Sequence, residues 1–543
     1  MAAPKSRLMQ VECVTMRKIQ LFWQQAWERH HQANALLKSK NIPGLFNREF
    51  AFYLRRINRE YQATFHQILK KRLDLHPIHL NRFFHTPMGE EILTRFEDLI
   101  HIQRDGYGKY ALRGALLQTA EDPEGLSILN LLRKFSANMQ FNTERILLTI
   151  KRVELLLKET EAMVDTISQL AKAEAAAESS IDFSKLPDIR CPGKASVEKQ
   201  TLILNDKSRE SRQFRAILYK PRWWRPGKAP VVIMSHGLGS SPEDFAEYAE
   251  HLASYGHVVA VPQHPGSDSN QVQEMLSGYS QEIFKLKEFI DRPLDVTYLL
   301  DQLEQRNPVE YQGKLNLEAV GVIGHSFGGY TALALAGAEI DFEKLENACG
   351  PVLGSPNPSL LLQCRALRLP RKTYNFRDHR IKAVLPVDPV GSEVFGPKGL
   401  CQIQIPVFMV AGSEDKTAPA AFEQIRVFTW LTTSNRYLAL IKGKAHFGSF
   451  SKLETGLKLM LLKTLPNLMG PDATLLYNYA YAMSLAFIEV HVANNPEYRP
   501  YLQSSYASYL SQAPFNLYLI SAASDTRLSQ KLRDFRMKLS QLS

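Results

Sequence analysis

An α/β class, with a mostly parallel sheet covered by helices on both faces, is what the middle of this sequence predicts, and three observations carry it. Short uninterrupted apolar runs alternate with helical stretches across residues 196–450, the pattern of strands buried on both faces. One run, Ala319-Val320-Gly321-Val322-Ile323, leads directly into Gly324-His325-Ser326-Phe327-Gly328 and then into the small-residue helix former Tyr330-Thr331-Ala332-Leu333-Ala334-Leu335-Ala336. The side chains able to do chemistry stand just after such runs, and parallel sheets present ligands at the carboxyl ends of their strands.

Taken in order, residues 1–168 read as an N-terminal helical domain. Gln20-Leu21-Phe22-Trp23 opens an amphipathic stretch, and 50–73, 89–102 and 127–157 carry apolar residues at helical spacing. Thr86-Pro87 is a helix start, with Thr86 as cap and Pro87 in the first turn. Residues 169–195, rich in Ala, Glu, Lys and Ser at their start, read as a solvated helix end and linker. In 196–450, strands are expected at 201–204 and 214–218 as an opening pair, then at 231–234, 258–261, 320–323, 381–385, 407–410 and 437–441. The excursions 266–307 and 338–380 exceed what crossovers require and are candidate lids, with Leu360-Leu361-Leu362 facing either lipid or the core. Residues 451–543 turn helical again and are too slight to fold alone, so they should pack on the sheet domain.

The chain of 543 residues, 45% hydrophobic and 22% charged, is globular in composition and long enough for several domains. Its net charge of +11 is concentrated in the first 80 residues. A solvated basic face explains this, and peripheral contact with an anionic membrane would use it. Nucleic-acid binding has no basic-aromatic motif behind it. No apolar signal core follows Met1, so the expectation is a cytoplasmic or peripheral-membrane protein, exported if the true start differs. The apolar stretch 473–493 contains Asn478, Glu489 and His491 and reads as a packed helix rather than a membrane span. Cys349 and Cys364 bracket a Pro/Gly-rich segment. They either close a loop in an oxidising compartment or remain buried thiols; Cys13, Cys191 and Cys401 suggest no scaffold. The histidines at 30–31 and at 76, 79 and 85 lack carboxylate or cysteine companions at ligand spacing, and neither a metal nor an organic cofactor is expected.

A serine on a tight strand-to-helix turn is flanked by glycines because only small residues fit around it, and the following helix aims its first amides at developing negative charge. This makes Ser326 the candidate nucleophile. It needs a base and an acid that orients the base, in the chain order serine, acid, histidine. His446, in Gly443-Lys444-Ala445-His446-Phe447 after the last expected strand, is the candidate base. Asp415, in the loop after 407–410, is the favoured acid; Asp388, ending the preceding strand, is the alternative, and Glu414 a solvated neighbour. The oxyanion donors are the amides of Phe327 and of Leu238 in Ser235-His236-Gly237-Leu238-Gly239, each worth about 3 kcal/mol of transition-state stabilisation. His236, which precedes the turn, reads as structural.

Met234-Ser235-His236-Gly237-Leu238-Gly239 and Gly324-His325-Ser326-Phe327-Gly328-Gly329 resemble the platelet-activating-factor acetylhydrolase family of α/β hydrolases. The loop 412–419 and residues 443–447 are more similar to bacterial cutinase-like polyester hydrolases. The first resemblance implies Asp388 as acid and the second Asp415. Residues 50–155, with Arg82-Phe83-Phe84-His85-Thr86-Pro87-Met88-Gly89-Glu90-Glu91 and Asp122-Pro123-Glu124-Gly125-Leu126, resemble an uncharacterised helical region found ahead of cyanobacterial α/β hydrolases. Together these imply an α/β-hydrolase fold and a serine esterase that takes lipid-like or short-acyl esters through an acyl-enzyme. The rivals are an acyltransferase or thioesterase using the same residues, and an inactive membrane- or protein-binding module.

Overall fold

The computed structural model describes residues 72–541 except 74, 98, 103–107, 128–129, 132–138, 351–355 and 447–473. The expected helices at 20–23 and before residue 72, the pair His30-His31, Cys13 and Phe447 lie outside the described residues. The chain divides into two compact units, residues 1–72 with 99–147 and residues 73–98 with 148–543. The described part of the first holds a helix, Gly108–Glu121, and a short antiparallel pair, Ile100–Ile102 with Met139–Phe141. The segment expected to be all helical therefore includes a strand pair.

The second unit is built on a nine-stranded sheet. In chain order its strands are β1 (Val197–Asp206), β2 (Arg212–Pro221), β3 (Ala229–Ser235), β4 (Val258–Pro262), β5 (Leu315–His325), β6 (Ile381–Val387), β7 (Val407–Gly412), β8 (Arg436–Ile441) and β9 (Leu517–Ser521). Their spatial order is β9-β8-β7-β6-β5-β3-β4-β2-β1. The β1–β2 hairpin joins β4 antiparallel, β3 to β8 run parallel, and β9 closes the far edge antiparallel to β8. Every expected strand is present. The addition is β9: the segment expected as a helical C-terminal extension contributes an edge strand, which pairs the otherwise open groups of β8.

Among the helices that surround the sheet and its loops are α1 (Pro77–Phe84), α2 (Pro87–Glu97), α3 (Thr143–Ala177), α4 (Ala246–Ser254), α5 (Ser269–Ser277), α6 (Glu288–Glu310), α7 (Phe327–Leu335), α8 (Phe342–Ala348), α9 (Leu360–Gln363), α10 (Ser392–Leu400) and α11 (Thr474–His491). Thr86 caps α2 as its sequence requires, its Oγ1 accepting from the Gly89 amide at 3.0 Å. The expected linker 169–195 is helical as far as Ala177, because α3 continues its apolar face through Met163, Ile167, Leu170 and Ala171 into the core beside the sheet.

Alternate residues of each strand enter opposite cores. Val231, Ile233, Val320, Val322, Leu438 and Leu440 face α6 and α7, whereas Val232, Met234, Ile323, Ala439 and Ile441 face α4 and α11. Burial on both sides explains the continuous apolar runs. Most of the expected lid 266–307 is part of this packing: Phe289, Val296, Leu299, Leu300 and Leu303 of α6 have no exposed surface, so α6 is a sheet-covering helix rather than a lid. Leu360 and Leu362 are likewise in the core. Among the described residues no helix is long and apolar enough to cross a membrane, and 474–491 is the packed helix α11.

Glu489 of α11 fastens that helix to the amino end of the sheet. Its carboxylate lies 3.2 Å from His257 Nε2 and 3.2 Å from Arg225 Nη1, and accepts from Asn495 Nδ2 at 3.1 Å. Burial alone would push the carboxyl up, but the hydrogen bond and charge of His257, with Arg225 and Asn495, outweigh it and hold the group at about 2 against an ordinary 4.5. A depressed folded value means stability that is complete above the unfolded value and lost as pH falls through the folded one. Glu489→Gln should therefore cost about 3 kcal/mol at neutral pH, and the gap should close between pH 4.5 and 2. Urea unfolding of both proteins at pH 7 and pH 3 checks this; an unchanging gap would refute it.

Candidate active site

Ser326 stands between β5 and α7 with φ 55° and ψ −115°, a left-handed conformation that an L-residue adopts only when packing dictates it. The glycines around it are required by close approach. A Cβ at Gly328 would lie 1.9 Å from the Ser235 carbonyl oxygen, and one at Gly324 would lie 2.0 Å from the Gly328 oxygen. The Ser326 amide donates to the Val387 carbonyl at 2.9 Å, which fixes the turn to β6.

Two loops at the carboxyl ends of β7 and β8 bring the other residues in. The Glu414 amide donates to the Lys444 carbonyl at 2.9 Å and the Gly443 amide to Ser413 Oγ at 2.9 Å, so the two loops move as one. His446 Nε2 lies 3.0 Å from Ser326 Oγ, and its Nδ1 lies 2.6 Å from Asp415 Oδ2. The other carboxylate oxygen of Asp415 accepts from the amides of Thr417 and Ala418 at 2.9 and 2.7 Å. The His446 carbonyl accepts from His325 Nε2 at 3.0 Å. Ser326 is 8% exposed, while Asp415 and His446 are buried and Glu414 is exposed.

Asp388, the alternative acid, is placed differently. It is fully buried with φ 42°, and its Oδ2 is ion-paired with the Lys444 ammonium, which also donates to the Ala445 carbonyl at 3.1 Å. Burial pushes its carboxyl up and the Asp415 charge adds to this, while Lys444 opposes. Its Oδ2 lies 4.0 Å from His325 Nε2. His325, Asp388 and His446 hold metal-ligand atoms within 4.8 Å of one another, but the Lys444 ammonium already supplies the cation on Asp388. At α1, His76 before its first residue and His79 in its first turn stand with ring centres 5.1 Å apart, and His85 just past its end donates from Nδ1 to the Asn81 carbonyl at 2.8 Å.

The loop after β3 lies against Ser326: a Cβ at Gly237 would lie 3.3 Å from Ser326 Cβ. Neither the Leu238 nor the Phe327 amide has a hydrogen-bond partner among the described residues. His236 is structural in its bonding. Its Nε2 accepts from the His264 amide at 3.1 Å, which leaves Nδ1–H to donate to the Gly237 carbonyl at 2.8 Å. Burial, with the neighbouring Arg292 and His264, holds its pKa well below the ordinary value. The walls beyond are fastened. Glu282 and Arg365 join the two excursions at 2.9 Å, and Glu423 Oε1 accepts from Asn357, Ser359 and Gln363 at 2.6 to 2.8 Å. Cys349 and Cys364 form a disulfide.

A mostly parallel sheet with the tight strand-to-helix turn at Ser326 after its central strand β5, and loops from neighbouring strands converging on it, is the layout of an α/β-hydrolase fold. Residues 191–354 match the family model of chlorophyllase, and residues 37–142 match that of an alpha/beta hydrolase of unknown function (DUF1400). Both matches are to α/β hydrolases, in keeping with the α/β-hydrolase fold of the chain. The chlorophyllase match takes in the loop after β3 and the turn at Ser326 and ends before Asp388, Asp415 and His446.

Sequence reasoning passed over Lys444, although it stands inside the motif that singled out His446, and over Glu288, Arg292 and Asp295, whose i, i+4 and i+7 spacing on one helix face was the available signal. Asp388→Asn should leave the Lys444 ammonium buried without its counter-charge and destabilise the protein by about 3–5 kcal/mol, whereas Asp388→Asn with Lys444→Met should recover most of that loss. Thermal unfolding of the two variants distinguishes them; equal melting would mean that the pair carries no such dependence.

Proposed function

We propose that this protein hydrolyses carboxylic esters through an acyl-enzyme, with Ser326 as nucleophile, His446 as general base and Asp415 as the residue that orients the imidazole. The observation that carries the reading is one imidazole spanning 2.6 Å to a carboxylate on one side and 3.0 Å to a hydroxyl on the other. Ser326 Oγ attacks the acyl carbon as its proton passes to His446 Nε2. The Leu238 and Phe327 amides receive the oxyanion, and His446 returns the proton to the departing alkoxide. Water then repeats the sequence and frees the acid. Asp415 is preferred to Asp388 because the latter is engaged by Lys444.

The favoured substrates are lipid-like or short-acyl esters. The esterase nature of the chlorophyllase family agrees with ester cleavage. An intact relay favours turnover over an inactive binding module, and peripheral contact with an anionic membrane rests on net charge alone. The Cys349–Cys364 disulfide favours an oxidising compartment over the cytoplasm; mass spectrometry after thiol alkylation without reductant should find both cysteines unmodified.

A fluorophosphonate probe should label the wild type at Ser326 and leave Ser326→Ala unlabelled. On an ester panel of graded acyl length that includes chlorophyll, Asp415→Asn should lower kcat by about 10⁴-fold. Asp388→Asn, corrected for its folded fraction, should lose less than about tenfold. The reverse order would transfer the acid role to Asp388, and absence of any adduct would remove the esterase reading. Product analysis with added alcohols separates hydrolysis from acyl transfer.

A further inference from the structure

Arg292 lies in α6 with no exposed surface and reaches both sides of the nucleophile turn. Its Nη2 donates to the His236 carbonyl and its Nη1 to Ser267 Oγ at 3.0 Å. The guanidinium carbon lies 4.7 Å from the centre of the Phe327 ring. One side chain thus holds the backbone two residues before Leu238 and the side chain of Phe327, the two residues whose amides are the proposed oxyanion donors. We propose that Arg292 is the positioning residue of the oxyanion hole, an inference that rests on the esterase reading above.

The backbone geometry carries the argument from Arg292 to the donor. A trans peptide points its N–H opposite to its C=O. The Gly237 carbonyl accepts from His236 Nδ1 at 2.8 Å and from the Ser240 amide at 3.3 Å, so the Leu238 N–H of the same peptide is turned away from those groups. The ring of His236 is held by the His264 amide, and its carbonyl by Arg292. Removing Arg292 frees the first peptide of this chain and with it the aim of the second. On the other side, Phe327 loses the cation over its ring face.

A group of this polarity is costly to bury, and its link to the nearby carboxylates runs through Ser267. Arg212 makes a two-pronged contact with Asp295 at 2.7 and 2.8 Å and reaches Glu288 at 3.0 Å. Ser267 Oγ, which accepts from Arg292, donates to Glu288 Oε2 at 2.6 Å, and His264 Nδ1 lies 3.0 Å from Asp295 Oδ2. Simple space filling would be served as well by a hydrocarbon side chain.

The test compares Arg292→Lys, Arg292→Met and the charge-balanced Arg292→Met/Glu288→Gln with the wild type, using a soluble short-acyl nitrophenyl ester. Loss of an aimed oxyanion donor should lower kcat by about 10²–10³-fold in the Met variants. KM should change less than threefold, and the midpoint of the acid limb of the pH–kcat/KM profile should stay in place. Arg292→Lys, which keeps one donor to His236, should recover part of the loss. Thermal unfolding separates the folded fraction from catalysis, and if Arg292→Met does not fold, the Lys and double variants decide. A folded variant with wild-type kcat, or a loss confined to KM, overturns the proposal. A wild type that no fluorophosphonate labels would instead overturn the esterase reading on which it stands.

Discussion

Everything at the carboxyl edge of the sheet depends on how closely α7 is pressed onto β3 and β5. With Gly328 in van der Waals contact with the Ser235 carbonyl, and Gly324 in contact with Gly328, the chain has no room to pass from strand to helix by an ordinary turn. The strain falls on Ser326, whose φ of 55° is the consequence rather than an independent feature. The Ser326 carbonyl accepts from the Gly329, Tyr330 and Val390 amides at 2.9, 3.2 and 3.3 Å, so the strained residue is pinned from the helix and from the loop after β6 together. Any movement of α7 would therefore displace the hydroxyl, the Phe327 amide and the Asp388 loop as a unit.

What was legible in the sequence came from local chemistry. The glycines of the turn, the apolar runs of β3 to β8 and the Thr86 cap each depend on neighbours within a few residues. β9 was not legible, because Leu517 to Ser521 becomes a strand only by pairing with Tyr437 to Ile441, some eighty residues earlier in the chain. α6 fell inside an excursion longer than a crossover requires, and its first turns carry Glu288, Asp291, Arg292 and Asp295. Glu288 and Asp295 are buried there because Arg209 and Arg212 of the β1–β2 hairpin arrive beside them, which no periodicity reveals. Asp415 and His446 could be named from their loops, but the pairing of Lys444 with Asp388 required the register of β6 against β7 and β8.

That pairing explains how two buried aspartates coexist close to one imidazole. Two uncompensated carboxylates in low dielectric would repel, and the more buried would take up a proton. Lys444, carried on the same loop as His446, balances the charge of Asp388, and the same lysine tethers the loop to the end of β6. Asp415, satisfied on its other oxygen by two backbone amides, is left facing His446. The loop that delivers the imidazole thus also carries the cation that keeps the nearer strand's aspartate from competing for it.

Buried charge is distributed along the sheet in a way that separates folding from chemistry. β4 is framed by two histidine–carboxylate pairs, His257 with Glu489 at its amino end and His264 with Asp295 at its carboxyl end, at 3.2 and 3.0 Å. The first binds helix α11 to the end of the sheet away from Ser326. The second belongs to the ion cluster beneath the loop after β3, where Ser235 Oγ lies 3.0 Å from His264 Nε2. A change at the amino end acts on the docking of α11 and hence on stability. The same kind of change at the carboxyl end acts on the peptides beside Ser326, because the imidazole of His264 and the backbone it supports connect Asp295 to the loop after β3.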